Sequence, residues 1–249
     1  MKLKNNIPNL LTLINLLCGC IAIAMEFQGR YIVTITLIFI AAIFDFLDGF
    51  IARLLNAKSN IGKDLDSLSD IVSFGVLPGI ILYRMISQSP NLINVNYDNI
   101  NFIPFIAFLI PITSAIRLAK FNNDKKQNEY FIGLPTPANG LFIASLSAVL
   151  LQNGNKNIIY NFINHQLTDY KILIILSLLL SLLLISRISL ISLKFKTFSW
   201  NKNKIKISFL IISFLLIILF QWAAGIFIML IYFIMSLIFR PDKAINVND

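Results

Sequence analysis

The sequence has little charge and few cysteines. Asp, Glu, Lys and Arg make up only 13% of its 249 residues, whereas a soluble domain carries about a quarter. This shortage of charge excludes a soluble globular enzyme, and the mean hydropathy of +0.78 excludes a disordered or collagen-like chain. The two cysteines, Cys18 and Cys20, would point to different sides of one helix, so no disulfide is expected between them.

Apolar sequence is abundant instead. Hydrophobic residues make up 57% of the chain, in runs of about 17 to 25 residues that can each cross about 30 Å of hydrocarbon. Backbone groups in lipid must be satisfied within each run, so the runs predict helices and not a barrel. The predicted spans are residues 10–27, 31–52, 67–86, 102–119, 134–151, 170–192, 205–220 and 222–239. The sequence therefore predicts an all-α polytopic membrane helix bundle of about eight spans, although the last two could also form one broken helix.

The distribution of positive charge predicts the orientation of these spans. Seventeen of the 21 Lys and Arg residues fall on one side of an eight-span chain, and Arg30, Arg84, Lys156 and Lys171 fall on the other. Cytoplasmic loops normally hold the excess of Lys and Arg. Both termini are therefore expected in the cytoplasm. The same rule accounts for the net charge of +9, so no nucleic-acid partner is expected.

Four carboxylates interrupt the apolar pattern. Asp45 and Asp48 lie near the end of the second span, and Asp66 and Asp70 lie at the start of the third. Spacings of i, i+3 and i, i+4 put each pair on one helix face, and a connection of about ten residues makes the two helices antiparallel neighbours. Intramembrane charges are costly and indicate function. Four converging carboxylates need neutralisation, and ligand sets made only of oxygen favour Mg²⁺ or Mn²⁺.

Two other interpretations of these carboxylates were considered. A lone Asp at a helix end is more often a cap or a solvated charge, and Asp64 is expected to be one. A cation transporter could also bury four carboxylates, but transporters commonly place their coupling sites near the bilayer midplane, between inverted repeats. In this sequence the carboxylates lie towards one face of the membrane, and no repeat is visible.

The spacing of these residues matches a known signature. The pattern is Asp45, two residues, Asp48-Gly49, two residues, Ala52-Arg53, eight residues, Gly62, three residues, Asp66, three residues and Asp70. It resembles the CDP-alcohol phosphatidyltransferase family. The resemblance implies transfer of a phosphatidyl or related group from a CDP-linked lipid to an alcohol, with release of CMP and a need for Mg²⁺ or Mn²⁺.

The resemblance also implies roles for the residues of the signature. Asp45, Asp48 and Asp66 would be ligands of two divalent ions, and Asp70 would complete the metal site and accept the proton of the incoming hydroxyl. Six residues would bind the nucleotide or pyrophosphate: Asn9, Thr12, Gly49, Ala52, Arg53 and Gly62. The small residues could instead serve helix packing, the two polar ones could join helices, and Arg53 could be an anchor at the membrane surface.

Flanking segments bear on the acceptor alcohol. The stretches that resemble the serine-using branch of the family are 7–19, 66–78, 117–122 and 131–139. They imply CDP-diacylglycerol and L-serine as substrates. Arg117 and Lys120, one turn apart, are candidates for contacting the acceptor, although the positive-inside bias alone could explain them. Glycerol 3-phosphate or inositol is an alternative acceptor, and Lys58 and Lys63 could supply the cations that a phosphorylated acceptor needs.

These inferences divide the chain into two regions. Residues 1–200 are expected to form the catalytic core with six spans, and residues 201–249 are expected to add two transmembrane helices. The resemblance further implies a homodimer in the lipid bilayer of the cell (inner or cytoplasmic) membrane, with its active site at the cytoplasmic face.

Overall fold

The computed structural model describes residues 2–57, 61–93, 95–98, 100–123, 130–152, 158–191 and 200–238. Some of the cationic residues used to predict the orientation lie outside these ranges, namely Lys58, Lys125, Lys126, Lys156, Lys194, Lys196, Arg240 and Lys243. Almost all of the described chain is helical, and the predicted all-α class is confirmed.

Ten α-helices make up the described structure. They are α1 (Lys2–Phe27), α2 (Tyr31–Leu54), α3 (Gly62–Asp70), α4 (Leu77–Ser87), α5 (Leu109–Asn123), α6 (Thr136–Leu151), α7 (Ile158–Leu167), α8 (Tyr170–Ile185), α9 (Trp200–Phe220) and α10 (Ala224–Ile238). A π-helix, Ile71–Val76, joins α3 to α4, and 3-10 helices cover Ile103–Phe108 and Gln221–Ala223.

Two short antiparallel strand pairs complete the described elements. β1 (Asn96–Tyr97) pairs with β2 (Ile100–Asn101), and β3 (Tyr130–Ile132) pairs with β4 (Ser189–Ile191). Strand β4 falls at the end of the predicted span 170–192, and the helix of that span stops at Ile185. The predicted span 67–86 begins too late, because the helix that carries Asp66 starts at Gly62.

The predicted count of eight spans is not confirmed. By length and apolarity, five described helical segments could cross a membrane, or six if α7 and α8, bent by 88°, count as one span. Helix α6 is shorter than these segments and is not counted among them. Residues 204–238 are counted as one segment. That last segment nevertheless folds back on itself, since the Phe209 and Tyr232 rings lie 5.8 Å apart, whereas a straight helix would separate them by about 35 Å. α9 and α10 therefore form an antiparallel hairpin that turns at Gln221, which has a φ of 45°.

The core surrounds the π-helix that follows Asp70. Phe74 on that segment is fully buried, together with Ile38 of α2 and Ile143 of α6. Gly19 of α1 and Gly140 of α6 flank the segment so closely that a Cβ on Gly19 would collide with Ser73 and one on Gly140 would lie 3.1 Å from the Phe74 Cα. The two glycines thus allow the backbones to approach, and they hold the segment after Asp70 in place.

A buried ion pair joins the helices at the end of the bundle opposite the four carboxylates. Arg84 Nε donates to Glu26 Oε1 at 2.6 Å, with side chains only 12% and 3% exposed. Arg84 also donates to Ser147 Oγ and stacks over the Tyr31 ring. This cluster connects α1, α2, α4 and α6. Since every group in it has a partner, its role is structural.

The outer surface of the bundle is apolar. Leu10, Ile43, Leu182 and Ile218 are each more than half exposed although they lie on long apolar helices. Exposed apolar area on this scale marks contact with lipid. The chain is thus an integral membrane protein.

Candidate active site

Three carboxylates from two helices meet at one point. Asp45 and Asp48 extend from α2 and Asp66 extends from α3, and one oxygen from each lies within 4.8 Å of the others. The i, i+3 spacing on α2 and the short connection to α3 produce this meeting, as the sequence predicts. Three carboxylates this close repel one another unless they share protons or bind a cation. Their donor set, all carboxylate oxygen, fits Mg²⁺ or Mn²⁺.

Asp70 lies beside this group and not within it. Its side chain is 6% exposed and is in hydrogen-bonding contact with the carboxyl group of Asp45. Asn15 of α1 donates from Nδ2 to Asp70 Oδ1 at 3.4 Å. Asp70 is thus one helical turn deeper than Asp66. Its assignment as a fourth metal ligand and as the base stays a prediction.

Helix α1 orients the carboxylates from the side. Thr12 Oγ1 donates to Asp48 Oδ2 at 2.5 Å. In return, Ser69 Oγ donates to the Thr12 carbonyl and Ser73 Oγ donates to the Asn15 carbonyl, both at 3.0 Å. Groups that hydrogen-bond a metal-binding carboxylate set its orientation. These contacts fix α1 against the segment that carries Asp66 and Asp70.

A cavity of about 230 Å³ opens beside Asp48 and Asp66. Its other lining residues are Pro8, Asn9, Thr12, Gly49, Ala52, Ala57, Gly62 and Lys63. Five of the six residues predicted to bind the nucleotide therefore line one cavity. The sixth, Arg53, is exposed, and its guanidinium lies 3.9 Å from the place where a Cβ on Gly49 would stand.

The predicted acceptor-binding residues Arg117 and Lys120 occupy different environments. Arg117 is 7% exposed, and its Nη1 donates to Thr136 Oγ1 of α6 at 3.0 Å. Its charge interacts with that of Asp70, while its Nε has no hydrogen-bond partner among the described residues. Lys120 is exposed at the end of α5. Of the two, Arg117 is the residue next to the carboxylates.

Asn139 is a polar residue that sequence reasoning missed. It is fully buried on α6, one turn after Thr136, and neither atom of its side-chain amide has a partner in the described structure. A buried amide without partners is costly, and such an amide one turn from the Thr136 that binds the half-satisfied Arg117 suits a polar ligand. The i, i+3 spacing of Thr136 and Asn139 in an apolar helix was the signal available in the sequence.

The geometry thus combines a carboxylate cluster, a polar cavity and a buried cation at one end of a membrane bundle. A family model described as CDP-alcohol phosphatidyltransferase matches residues 5–168, more than half of the chain and the whole of this site. The chain belongs to the CDP-alcohol phosphatidyltransferase family. The family predicted from the sequence is confirmed, and membership supports an enzyme over the transporter hypothesis.

Curated relatives extend this comparison. The CDP-diacylglycerol–serine O-phosphatidyltransferase of Bacillus subtilis (strain 168) is 35% identical over 147 residues, covering 57% of this chain and 76% of that protein. The protein of the same name from Helicobacter pylori (strain J99) is 31% identical over 244 residues, 96% of this chain and 93% of its own. The protein of that name from Mycobacterium leprae is 35% identical over 157 residues, and this match covers 48% of that protein, about half of its length. The Helicobacter match is long enough to include α9 and α10.

Proposed function

We propose that this member of the CDP-alcohol phosphatidyltransferase family transfers the phosphatidyl group of CDP-diacylglycerol to the hydroxyl of L-serine. The products are phosphatidylserine and CMP. The observation that carries this proposal is the meeting of Asp45, Asp48 and Asp66 at the edge of a polar cavity. The names of the relatives support serine as the acceptor.

The residues of the site suit the two ends of such a substrate. Asn9, Thr12, Gly49, Ala52 and Gly62 would surround the cytidine and pyrophosphate, with Arg53 at the mouth of the cavity. Asp45, Asp48 and Asp66, with Asp70 as a further ligand, would hold two Mg²⁺ or Mn²⁺ ions. Such ions offset the negative charge of a pyrophosphate and of the departing phosphate.

Asp70 would act as the base. The serine oxygen forms a bond to the lipid-side phosphorus, the bond from that phosphorus to the oxygen of CMP breaks, and the serine proton passes to Asp70. Direct attack inverts the configuration at phosphorus. Asp70 contacts Asp45, and its charge interacts with that of Arg117. Both observations support binding of the acceptor next to Asp70.

The acceptor would bind between α5 and α6. The unsatisfied Nε of Arg117 would donate to the serine carboxylate, and the free amide of Asn139 would contact the carboxylate or ammonium group. Glycerol 3-phosphate would require more positive charge. Lys63 lines the nucleotide cavity and donates to the Asn122 carbonyl, and Lys58 lies outside the described residues. One buried arginine suits a carboxylate better than a phosphate dianion.

We expect the reaction at the cytoplasmic face of the cell (inner or cytoplasmic) membrane, from the distribution of Lys and Arg, and in a homodimer, from the family resemblance. These two points stay predictions.

The test is release of CMP by the purified protein in detergent with CDP-diacylglycerol. Serine, glycerol 3-phosphate and inositol are supplied in turn, each with Mg²⁺, Mn²⁺ or EDTA. We expect release with serine only, its loss in EDTA, and its loss in Asp70→Asn. Asn139→Leu should raise the KM for serine about tenfold or more and leave the KM for the CDP-lipid unchanged, because only a hydrogen bond to the acceptor is removed. Release with another acceptor would replace serine in this proposal, and no release from folded protein would refute it.

A further inference from the structure

Two side chains near the end of α10 hold one residue of a short strand. Tyr232 and Ser236 lie one helical turn apart, and both are buried. The Tyr232 hydroxyl donates to the Ile191 carbonyl at 3.0 Å, and the Ser236 hydroxyl accepts from the Ile191 N–H at 3.2 Å. Both backbone groups of this β4 residue are thus bonded to α10, as a neighbouring strand would bond them. None of the roles assigned above uses these contacts.

Apolar packing holds the same strand. The Leu190 side chain of β4 is 1% exposed and lies in a buried cluster with Phe209 of α9 and Tyr232 of α10. Both helices of the α9–α10 hairpin therefore contact β4. The Tyr232 ring belongs to the apolar cluster and its hydroxyl binds the strand, so loss of the hydroxyl alone leaves the apolar packing in place.

Strand β4 connects α10 to the turn that precedes α6. It pairs with β3, with Ile191 opposite Tyr130. The chain then turns at Gly133, whose N–H donates to the Ile188 carbonyl at 2.9 Å. Gly133 has a φ of 74°, and a Cβ on it would lie 2.7 Å from the Leu184 carbonyl oxygen. The turn is therefore in close contact with the segment that α10 holds.

This turn leads directly into the acceptor end of the candidate site. Helix α6 begins three residues after Gly133, at Thr136, whose hydroxyl accepts from Arg117 Nη1. Asn139 follows one turn later on the same helix. Tyr232 is also close enough to Arg117 for the two groups to interact electrostatically. The path from α10 to Arg117 thus runs through β4, β3 and the first turn of α6.

We propose that Tyr232 and Ser236 are positioning residues for the acceptor. By holding Ile191 they fix the β3–β4 pair, and this pair fixes the first turn of α6, from which Thr136 orients Arg117. The inference rests on the proposed function, since it needs Arg117 to contact the acceptor. The α9–α10 hairpin is then one of the elements that set the affinity for the acceptor.

The experiment removes one oxygen atom at a time. Tyr232→Phe leaves the Ile191 carbonyl without its donor, and Ser236→Ala leaves the Ile191 N–H without its acceptor. The matched control is Tyr160→Phe, because the Tyr160 hydroxyl of α7 donates to the Phe220 carbonyl at the turn of the hairpin, the end opposite Ile191. For each purified variant in detergent, CMP release gives kcat and the KM values for serine and for CDP-diacylglycerol, and thermal unfolding gives the Tm.

We expect Tyr232→Phe and Ser236→Ala each to raise the KM for serine about threefold to tenfold, as loss of one hydrogen bond would. The kcat and the KM for the CDP-lipid should stay within about twofold, because only binding of the acceptor changes. Tyr160→Phe should leave both KM values unchanged. In a Thr136→Val background, Tyr232→Phe should add less than about twofold, since Arg117 has already lost the hydroxyl that orients it.

Hydrogen–deuterium exchange tests the same path without turnover. In Tyr232→Phe and Ser236→Ala, exchange should rise in peptides that cover residues 183–191 and also in those that cover residues 130–136, because the two segments are bonded to each other. Tyr160→Phe should leave both segments unchanged. A rise confined to residues 183–191 would show that the contacts do not reach α6, and would contradict the proposal.

Other results separate the two proposals. If the unmodified chain releases no CMP with serine or another acceptor, the proposed function fails, and exchange alone decides whether α10 positions α6. If another acceptor supports release, the KM comparison is made with that acceptor. If serine is used and both α10 variants keep the unmodified KM values, or raise the KM for both substrates equally, the positioning proposal alone is wrong. Loss of the thermal transition in both variants would make the contacts structural and would also overturn it.

Discussion

A single hydroxyl on α1 sets the geometry of one metal-binding candidate. Thr12 Oγ1 donates to Asp48 Oδ2 at 2.5 Å, and the Pro8 carbonyl at 3.1 Å is a second, weaker acceptor for the same proton; the residue is 3% exposed. With two acceptors, the side chain of Thr12 has little freedom to rotate. The carboxylate of Asp48 is therefore fixed before any ion arrives.

Removing this hydroxyl should weaken ion binding more than folding. Thr12→Val keeps the shape of the side chain but leaves Asp48 without its donor, and loss of such an orienting contact typically costs about tenfold to a hundredfold in metal affinity or activity. We expect a higher Mn²⁺ concentration for half-maximal CMP release. Mn²⁺ binding to the purified protein, followed by electron paramagnetic resonance, should weaken in parallel. Thr12→Ser should restore both, and an unchanged Mn²⁺ dependence in Thr12→Val would contradict the role.

Residue spacing predicted one part of this site and missed another. Asp45, Asp48 and Asp66 were predictable because helical periodicity and a short connection suffice to bring them together. For Asn139, the spacing from Thr136 marks a polar position on α6, but what Asn139 faces depends on how α6 packs against α5, and packing between distant segments is not visible in spacing. The position of Asp70 beside the group, and not within it, also depends on packing against α1.

At the scale of helices, the Glu26–Arg84 pair is the strongest polar contact described between α1 and α4. Sequence reasoning counted Arg84 only as one of four cations on the outer side, because its partner is 58 residues away. The pair lies about 21 Å along α1 from Thr12. It should therefore affect stability and leave the chemistry unchanged.

Breaking this pair should destabilise the bundle. Arg84→Met leaves Glu26 buried without its partner, and such a change typically costs about 3–5 kcal/mol. We expect a lower Tm in detergent, with the KM for serine unchanged at temperatures where the variant is folded. The double variant Glu26→Leu with Arg84→Met removes both charges and should recover most of the lost stability. A double variant no more stable than Arg84→Met would show that the pair contributes little.

Helix boundaries show where sequence patterns mislead. The apolar run of the third span begins at residue 67, yet α3 starts at Gly62, as the helical spacing of Asp66 and Asp70 requires. A helix can carry charged residues in the membrane when they face a polar cavity, as Lys63 and Asp66 do. Apolarity locates the spans, but it does not locate the ends of helices that bear the site.

At the scale of the whole molecule, the two polar clusters define the two ends of the bundle. The carboxylates and Arg117 lie at one end, and Glu26 with Arg84 lies at the other. The positive-inside rule assigns the carboxylate end to the cytoplasm. This sidedness stays a prediction, made from the sequence alone, whereas the number of spans depends on how short helices such as α6 and α7 are arranged.

Cysteine labelling in intact cells tests the orientation. With Cys18 and Cys20 replaced by Ala, single cysteines are introduced by Asn123→Cys, at the end of α5, or by Thr168→Cys, between α7 and α8. Both positions are exposed. A membrane-impermeant maleimide should label Thr168→Cys in intact cells, and Asn123→Cys only after the cells are permeabilised. The opposite pattern would reverse the orientation.

The π-helix between α3 and α4 has a consequence for insertions and deletions. A π-helical turn holds more residues than an α-helical turn, so the six residues Ile71–Val76 set how far α4 is rotated relative to α3. Losing one residue there would rotate α4 by about 100° and move Arg84 away from Glu26. The length of this segment is therefore as constrained as its composition. Homologous chains that share both clusters should tolerate substitutions between them more readily than a change of one residue in length.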